Sequence, residues 1–361
     1  MAGLIIGFNL VKNNRIEKKR RRVIPMIFNS KKIFLWLSLG FCAFLVLGFF
    51  YFFAGKTKEA ERITWGVDFS QKQAQELGLD WQELYSAILD DLGAKKVKIA
   101  VHWDLIEPEE GHYGFDALDW QIEKAREKGA KLILILGMKT SRWPECHIPG
   151  WAKNSDKKWQ QEKITKMLEA VVSRYGDDDC VSAWQVENEP LFPFGECPWS
   201  DKDFLKREVN FVKTLDPKKR PVLLSDSGEF SFWFSAASIG DVVGITMYRK
   251  AWFDKFGRYF SYPFPPVFYR RKAEVINKIF KKDVICIELQ AEPWGPVPLR
   301  DLTPEEQKKT MDSEKFKENI SFAKKTGLEE FYFWGAEWWY WMKTTQNQPQ
   351  IWDEAKVLFI K

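Results

Sequence analysis

The segment Val181-Ser-Ala-Trp-Gln-Val-Glu-Asn-Glu-Pro190 decides the fold of this chain. Its first six residues form a short, mainly apolar run that predicts a buried strand, and Asn188 and Glu189 follow where that strand ends. A second apolar run, Val284-Ile-Cys-Ile-Glu288, also ends on a glutamate. If both runs are parallel strands of one sheet, the two carboxyl groups lie at the same edge of that sheet.

Short apolar runs of this kind recur along the chain after residue 62. The eight predicted strands are Ile63–Phe69, Lys96–Trp103, Lys131–Gly137, Val181–Val186, Pro221–Ser225, Val242–Met247, Val284–Leu289 and Phe331–Gly335. Longer amphipathic segments separate them: Asp80–Leu92 has its apolar residues at helical spacing, and Thr303-Pro-Glu-Glu306 is a capping box with proline at the first helical position. This alternation predicts an α/β fold, a (β/α)8 TIM barrel over residues 63–361, whose functional sites lie at the C-terminal ends of the strands.

Two carboxyl groups at that end of a barrel are what cleavage of a glycosidic bond requires. One carboxylic acid protonates the leaving oxygen, and one carboxylate attacks or stabilises the anomeric carbon. The acid needs a raised pKa and the carboxylate a polar, hydrogen-bonded setting. Glu189 and Glu288 are the preferred pair, since each ends a predicted strand. Other acids at or beyond strand ends compete for the two roles: Asp68, Asp226, Glu229, Glu337 and, as the main rival of Glu288, Glu292.

With Asn-Glu-Pro after the fourth strand and a glutamate ending the seventh, the sequence resembles clan A of the glycoside hydrolases. These are retaining (β/α)8 enzymes that include cellulases, mannanases and β-galactosidases. The resemblance implies that Glu189 is the general acid/base, Glu288 the nucleophile and Asn188 a hydrogen-bond partner of the sugar 2-hydroxyl. It also implies that Tyr248 contacts the nucleophile and that Trp334 is a sugar platform. Carboxyl groups about 5 to 5.5 Å apart would give retention of the anomeric configuration.

One position departs from the clan pattern. The clan usually carries an arginine on its second strand, where this chain has Lys98. A lysine offers a point charge in place of a planar fork, which leaves open how the nucleophile is oriented. A different partner for Lys98, such as Glu187, is an alternative.

Aromatic residues are concentrated near the predicted catalytic face. Flat apolar rings suit the C–H faces of sugars, although large rings also fill cores. Half of the eight tryptophans at or after strand ends are expected in the cleft: Trp103, Trp143, Trp199, Trp294, Trp334, Trp338, Trp339 and Trp341. Trp103, Trp294 and Trp334 are the predicted sugar contacts. His102, at the end of the second strand, is either a further sugar contact or a neutral hydrogen-bonding group.

The N-terminus carries a separate signal. Residues 33–54 form an uncharged run long enough to cross a bilayer, and nine lysines and arginines precede it against Glu17 alone. The positive-inside rule then predicts a basic cytoplasmic tail at 1–32, a transmembrane signal anchor at 33–54 and a short spacer at 55–62 before the barrel. The barrel would lie outside the cytoplasm of a single-pass membrane protein. A cleaved signal peptide is the alternative, and Met26 is an alternative start.

The remaining chemistry narrows the class of protein. Cys146 and Cys197 follow neighbouring strands and could form a disulfide outside the cytoplasm, whereas Cys42, Cys180 and Cys286 have no evident partner. The three histidines show no metal-ligand spacing, and no phosphate-binding or dinucleotide-binding motif occurs, so neither a metal nor another cofactor is expected. The basic run belongs to the membrane signal, so no nucleic-acid partner is expected either.

These observations predict a membrane-tethered retaining glycoside hydrolase acting on β-linked sugars, with an oligosaccharide or polysaccharide as its partner. A transglycosylase would use the same two carboxylates, because only the acceptor that resolves the covalent intermediate differs. A catalytically inactive carbohydrate-binding barrel and a structural anchor protein of the envelope are further alternatives. The sugar, the linkage, the choice of endo or exo cleavage and the oligomeric state stay open.

Overall fold

A computed structural model describes residues 30–360 of the chain, with side chains from Phe34 onward. Most of the predicted basic tail, including Met26, lies outside the described residues. Helix α1 (Ser30–Phe53) covers the predicted apolar span except for its last residue, Ala54, and its Phe34–Phe53 segment has a mean hydropathy of 2.1. By its contacts the chain divides into two units, residues 1–49 and 50–361, and the second contains the barrel.

Eight parallel strands close into a barrel. They are β1 (Thr64–Phe69), β2 (Lys96–Ala100), β3 (Lys131–Leu136), β4 (Val181–Val186), β5 (Val222–Asp226), β6 (Val242–Met247), β9 (Asp283–Gln290) and β10 (Glu330–Trp334). Each strand pairs with the next one along this list, and β1 pairs with β10 to close the ring. The predicted TIM barrel is therefore confirmed.

Helices follow the strands around the outside. They are α2 (Gln71–Glu76), α3 (Trp81–Asp90), α4 (Trp103–Ile106), α5 (Asp116–Glu127), α6 (Lys157–Tyr175), α7 (Lys202–Leu215), α8 (Phe234–Ile239), α9 (Pro266–Phe280), α10 (Pro304–Gln307), α11 (Ser313–Thr326), α12 (Ala336–Thr344) and α13 (Gln350–Phe359). Their starts follow the local chemistry: the Asp80 side chain accepts from the first turn of α3, and Thr303 caps α10. The start of α10 was predicted correctly, but α10 is only a single turn long.

Two apolar layers hold the barrel together. On β3, Leu132, Leu134 and Leu136 point outward into the main core between the strands and the helices. Ile133, between them, belongs to a smaller cluster together with Leu223 and Tyr332. This alternation follows from the two-residue period of a strand. At the C-terminal ends of the strands, the side chains inside the barrel are mostly polar, and they form the site described below.

The structure corrects the sequence prediction in two places. A two-stranded antiparallel hairpin, β7 (Lys250–Phe253) and β8 (Arg258–Ser261), follows β6 and was not predicted. The second predicted strand is also too long, because the chain leaves the sheet after Ala100 and α4 begins at Trp103. The Trp103 ring is fully buried, and its N–H donates to Glu107 Oε2 at 2.8 Å. Trp103 is therefore a core residue, and the sugar contact predicted for it is wrong.

Candidate active site

Glu189 and Glu288 lie at the same end of the barrel. Glu189 follows β4, Glu288 lies on β9, and β6 provides the link between them because Thr246 is in register with Glu288. The Thr246 hydroxyl donates to Glu189 Oε1 at 3.4 Å. Both side chains are buried, with 7% and 2% of their surface exposed. The sequence prediction that these two carboxyl groups converge is met by the fold.

The backbone holds Glu189 in an unusual conformation. Its φ of 42° lies in the left-handed region, which a non-glycine residue adopts at a cost. Its N–H donates to Ser225 Oγ at 2.7 Å, and Lys139 Nζ donates to its carbonyl at 3.0 Å. Burial, then the nearby Glu288 and Glu145 carboxylates, raise the pKa of Glu189 well above its ordinary value. The Glu189 carboxyl group is therefore suited to hold a proton.

Glu288 has a different setting. The Tyr248 hydroxyl donates to its Oε2 at 2.9 Å, and Lys98 Nζ lies 3.5 Å from its Oε1. Burial, and then the charge of Glu288, raise the pKa of Tyr248 well above 10, so the phenol keeps its proton and stays a donor. Glu288 therefore faces a hydrogen-bond donor and a cation.

Lys98 occupies the position where the clan usually has an arginine. It is fully buried and lies between two carboxylates, because its Nζ is also 3.2 Å from Asp68 Oδ1. The alternative partner considered from the sequence, Glu187, is wrong. That carboxylate instead accepts from the backbone N–H of Met138 at 2.9 Å and from that of Lys139. The Lys98 charge therefore faces the candidate nucleophile directly.

Asn188 is part of a hydrogen-bond network that extends across three strand ends. Its Oδ1 accepts from Gln185 Nε2 at 3.1 Å and from Ser225 Oγ at 3.4 Å. Its Nδ2 donates to Glu145 Oε2 at 3.2 Å. The side chain is 1% exposed and lies beside Glu189 in the chain. The amide predicted to contact the sugar is therefore held by hydrogen bonds at both its oxygen and its nitrogen.

The loop after β3 contributes polar side chains that the sequence prediction missed. Arg142 donates through Nη2 to Glu337 at 2.8 Å and through Nη1 to Glu292, and its guanidinium lies 4.0 Å from the Trp334 ring centre. Burial opposes the Arg142 charge, but the two carboxylates outweigh it and raise the Arg142 pKa. Glu145 lies on the same loop. The sequence signal that could have indicated Arg142 and Glu145 is the run of polar residues directly after the apolar strand β3.

The competing acids all have structural partners. Glu292 and Glu337 bind Arg142, and Glu292 also accepts from the Trp334 indole at 2.7 Å. Glu229 accepts from the Tyr248 N–H at 2.9 Å and from the Tyr269 hydroxyl at 2.8 Å. Asp68 pairs with Lys98, and Asp226 accepts from Ser231. In contrast, the only hydrogen bond to the Glu189 carboxyl within residues 30–360 is the long one from Thr246.

The aromatic residues divide between cleft and core. The Trp294 ring packs edge-on against Tyr248 at 5.3 Å, and Trp143, on the loop after β3, is 58% exposed. Trp334 is 5% exposed, with Arg142 over one face of the ring. Trp338 and Trp339 are fully buried in the main core. Trp294 and Trp334 thus stay candidates for sugar contact.

His102 lies at the end of β2 with both ring nitrogens engaged. Nε2 lies 3.1 Å from Ser70 Oγ, and Nδ1 lies 2.8 Å from Thr140 Oγ1. Burial, then the neighbouring His147 and Lys72, lower the pKa of His102 well below 6.5. These contacts favour the alternative of a neutral hydrogen-bonding histidine over a direct sugar contact.

A disulfide joins the loops after β3 and β4. Cys146 and Cys197 are bonded, with their Cα atoms 5.2 Å apart, as the neighbouring strands predicted. Cys180 and Cys286 are free and buried, and Cys42 is free and exposed. Within residues 30–360, no group of three or more His, Cys, Asp or Glu side chains is arranged to hold a metal ion.

Comparisons with known proteins agree with this fold. The glycoside hydrolase 42 family of β-galactosidases matches residues 76–204, a stretch that contains Asn188 and Glu189. A probable mannan endo-1,4-β-mannosidase A from Aspergillus clavatus is 30% identical over 132 residues, which cover 33% of this chain and 34% of that protein. This chain thus spans about a third of the length of that curated relative.

Solved structures share the fold. A β-galactosidase from the haloarchaeon Halorubrum lacusprofundi superposes with a TM-score of 0.51 at 15% identity, covering 75% of this chain and 52% of its own. Xylanase 10B from Thermotoga petrophila does so with a TM-score of 0.51 at 15% identity, covering 78% and 86%. At these identities the likeness concerns the fold alone. Together, the matches confirm the resemblance to clan A of the glycoside hydrolases.

Proposed function

We propose that this chain is a retaining glycoside hydrolase that cleaves β-linked sugars. The observation that carries the proposal is the meeting of Glu189 and Glu288 at the C-terminal edge of the barrel, in two different electrostatic settings. Burial and nearby carboxylates favour the protonated form of Glu189. The hydroxyl of Tyr248 donates to Glu288, and the ammonium of Lys98 lies beside it. One acid and one carboxylate are what the double-displacement reaction uses.

The reaction proceeds in two steps. In the first, Glu288 attacks the anomeric carbon while Glu189 gives its proton to the glycosidic oxygen, so the C–O bond breaks and the alcohol leaves. The sugar is then esterified to Glu288. In the second step, Glu189, now a carboxylate, takes a proton from water as the water oxygen attacks the anomeric carbon. The ester bond to Glu288 breaks, and the sugar leaves with its original configuration.

The surrounding side chains support charge changes at Glu288. Its negative charge is lost as the ester forms and returns as the ester is cleaved. Tyr248 and Lys98 are positioned before the reaction to receive that charge, so little reorganisation is needed. The lysine that replaces the usual clan arginine therefore still provides a cation to the nucleophile. This contact argues against the alternative of an inactive carbohydrate-binding barrel, for which the lysine was the only hint.

The substrate class follows from the surroundings of the pair. Asn188 is the proposed partner of the sugar 2-hydroxyl, and the rings of Trp294 and Trp334 are the proposed apolar contacts. The family and the relative that match in sequence are named as β-galactosidases and a mannan endo-1,4-β-mannosidase. β-Galactosides and β-mannosides are therefore the first substrates to test. The partner is an oligosaccharide or polysaccharide.

The barrel is proposed to act outside the cytoplasm. Helix α1 provides an apolar span near the N-terminus, and a disulfide between Cys146 and Cys197 suits an oxidising compartment. With the basic residues before it, α1 is proposed to serve as a signal anchor at 33–54 that tethers the domain at 63–361 to the cell membrane. A cleaved signal sequence is the alternative, because the same helix satisfies both descriptions.

A screen of aryl β-glycosides and mannans with the detergent-solubilised full chain tests the activity. Glu288→Gln is expected to lower turnover by several orders of magnitude. Glu189→Ala is expected to slow substrates with poor leaving groups far more than activated aryl glycosides, and azide should restore its activity on the activated ones. Products that carry an acceptor sugar would reveal a transglycosylase. Near-parental activity of both variants would exclude this catalytic pair.

A further inference from the structure

Glu145 is a third carboxyl group beside the proposed catalytic pair. It lies on the loop after β3 and is 4% exposed. Its Oε2 accepts the hydrogen bond from Asn188 Nδ2 at 3.2 Å. After burial, the largest influence on both groups, the charge of Glu145 contributes to the raised pKa of Glu189, and the charge of Glu288 contributes to that of Glu145. Glu145 therefore lies near both members of the pair. Neither step of the proposed reaction uses this carboxyl group.

The contact with Glu145 determines which way the Asn188 amide points. Gln185 and Ser225 both donate to Asn188 Oδ1, whereas Glu145 accepts from Nδ2. If the amide were flipped, its N–H groups would face the N–H of Gln185 and its oxygen would face Glu145, so donors would oppose a donor and acceptors an acceptor. The amide carries two N–H groups, and Glu145 accepts from Nδ2 through a single oxygen. Within residues 30–360 the structure shows no other acceptor for Nδ2, so the second N–H is the group proposed to meet the sugar hydroxyl.

The loop places Glu145 rigidly. Its φ of 71° is in the left-handed region, its N–H donates to the Arg142 carbonyl at 2.7 Å, and its carbonyl accepts from the Thr140 N–H at 2.9 Å. The next residue forms the disulfide to the loop after β4. Gly195 on that second loop lies so close that an added Cβ would be 2.5 Å from the Glu145 Cβ. A strained residue fixed from several sides is typical of a functional position.

We propose that Glu145 is a positioning residue for the sugar 2-hydroxyl, which it serves by orienting the Asn188 amide toward that hydroxyl. This role rests on the proposed glycosidase function. Glu145 exchanges no proton with the substrate. Hydrogen bonds to the 2-hydroxyl strengthen in the transition state, so a misplaced amide lowers turnover.

The test combines a change in the protein with a change in the substrate. The value of kcat/KM is measured for the full chain and its Glu145→Ala variant on 4-nitrophenyl β-galactoside, on 4-nitrophenyl β-mannoside and on the 2-deoxy counterpart of each. On the substrate with the hydroxyl, the variant is expected to lose about tenfold to a hundredfold, mainly in kcat. On the 2-deoxy substrate the loss should stay within about twofold, the usual limit of additivity.

Two control variants separate positioning from a merely structural role. Glu145→Gln keeps an acceptor for Asn188 and should recover most of the activity. Combining Glu145→Ala with Asn188→Ala should be no worse than Asn188→Ala alone. Equal losses on both substrates, or a glutamine variant as poor as the alanine variant, would overturn the positioning role and leave the glycosidase proposal intact. An unmodified chain inactive on every glycoside in the screen would overturn both.

Discussion

At the scale of single residues, the site consists of acids that differ in their partners. Glu189 has one long hydrogen bond to its carboxyl, whereas Glu288 has a phenol and an ammonium beside it. The difference in partners, rather than in residue type, distinguishes the proposed acid from the proposed nucleophile. Glu292 and Glu337 lie close by, but both form ion pairs with Arg142.

The raised pKa of Glu189 predicts the alkaline side of the pH profile. Because Glu189 must carry a proton to assist the leaving group, kcat/KM on glycosides with poor leaving groups should fall as the pH rises through that pKa. Glu189→Ala, measured on an activated aryl glycoside that needs no proton, should lack this decline. The measurement is a pair of pH–rate profiles. An unchanged alkaline decline in the variant would assign it to another group.

Removal of the Lys98 charge is expected to lower both the stability and the activity of the chain. Lys98→Met would leave Asp68 and Glu288 buried together without a cation, which should cost about 3–5 kcal/mol of the free energy of unfolding. Denaturant unfolding checks the stability, and aryl glycoside turnover checks the activity. Lys58→Met, which removes an exposed ion pair with Glu61, is the matched control and should change neither. A stable and active Lys98→Met variant would contradict the role given to this lysine.

At the scale of structural elements, the loops after β3 and β4 act as one unit. The disulfide joins them, the Glu187 carboxylate accepts from two backbone N–H groups of the first loop, and Lys139 donates to the Glu189 and Phe192 carbonyls of the second. The groups around the proposed acid/base therefore depend on contacts between two neighbouring loops rather than on either loop alone.

Removing the disulfide should weaken this unit. The double variant Cys146→Ser, Cys197→Ser opens a link between residues 51 positions apart, and a loss of about 2–5 kcal/mol in the free energy of unfolding is expected. Turnover should fall as well, because Glu145 and Glu189 lie on the two joined loops. Thermal or denaturant unfolding and kinetics check both effects. Cys42→Ser, which removes an exposed free thiol, is the control. A double variant as stable and as active as this control would contradict the role given to the disulfide.

The elements also show where sequence reasoning succeeds. All eight barrel strands were predicted within a few residues because each is a short, mainly apolar run that is largely buried. The β7–β8 hairpin was missed because its short strands carry mixed polar and aromatic residues without a clear period of two. Trp103 was misplaced because an apolar run does not reveal where a strand stops. The Arg142 contacts join residues 150 and 195 positions apart, which one sequence cannot reveal.

At the scale of the whole molecule, the chain combines an apolar N-terminal helix with an enzyme-like barrel. The basic residues before the apolar span at 33–54 are expected to stay in the cytoplasm. The barrel is then expected to be exported. Protease added to intact spheroplasts should then digest the barrel, and the full-length chain should sediment with membranes and resist extraction with alkaline carbonate. A shortened soluble form that begins near residue 55 would show a cleaved signal sequence. A protected barrel would contradict the proposed orientation.

The most direct measurement of the central claim is covalent trapping of the nucleophile. A 2,4-dinitrophenyl 2-deoxy-2-fluoro-β-glycoside of the sugar that the chain cleaves slows the second step, so the sugar ester accumulates. Mass spectrometry of the intact protein should show one added fluoroglycosyl group. Tryptic fragments should place it in the peptide Asp283–Arg300, and fragmentation of that peptide should place it on Glu288. An adduct on Glu292, or no adduct on an active enzyme, would contradict the assignment.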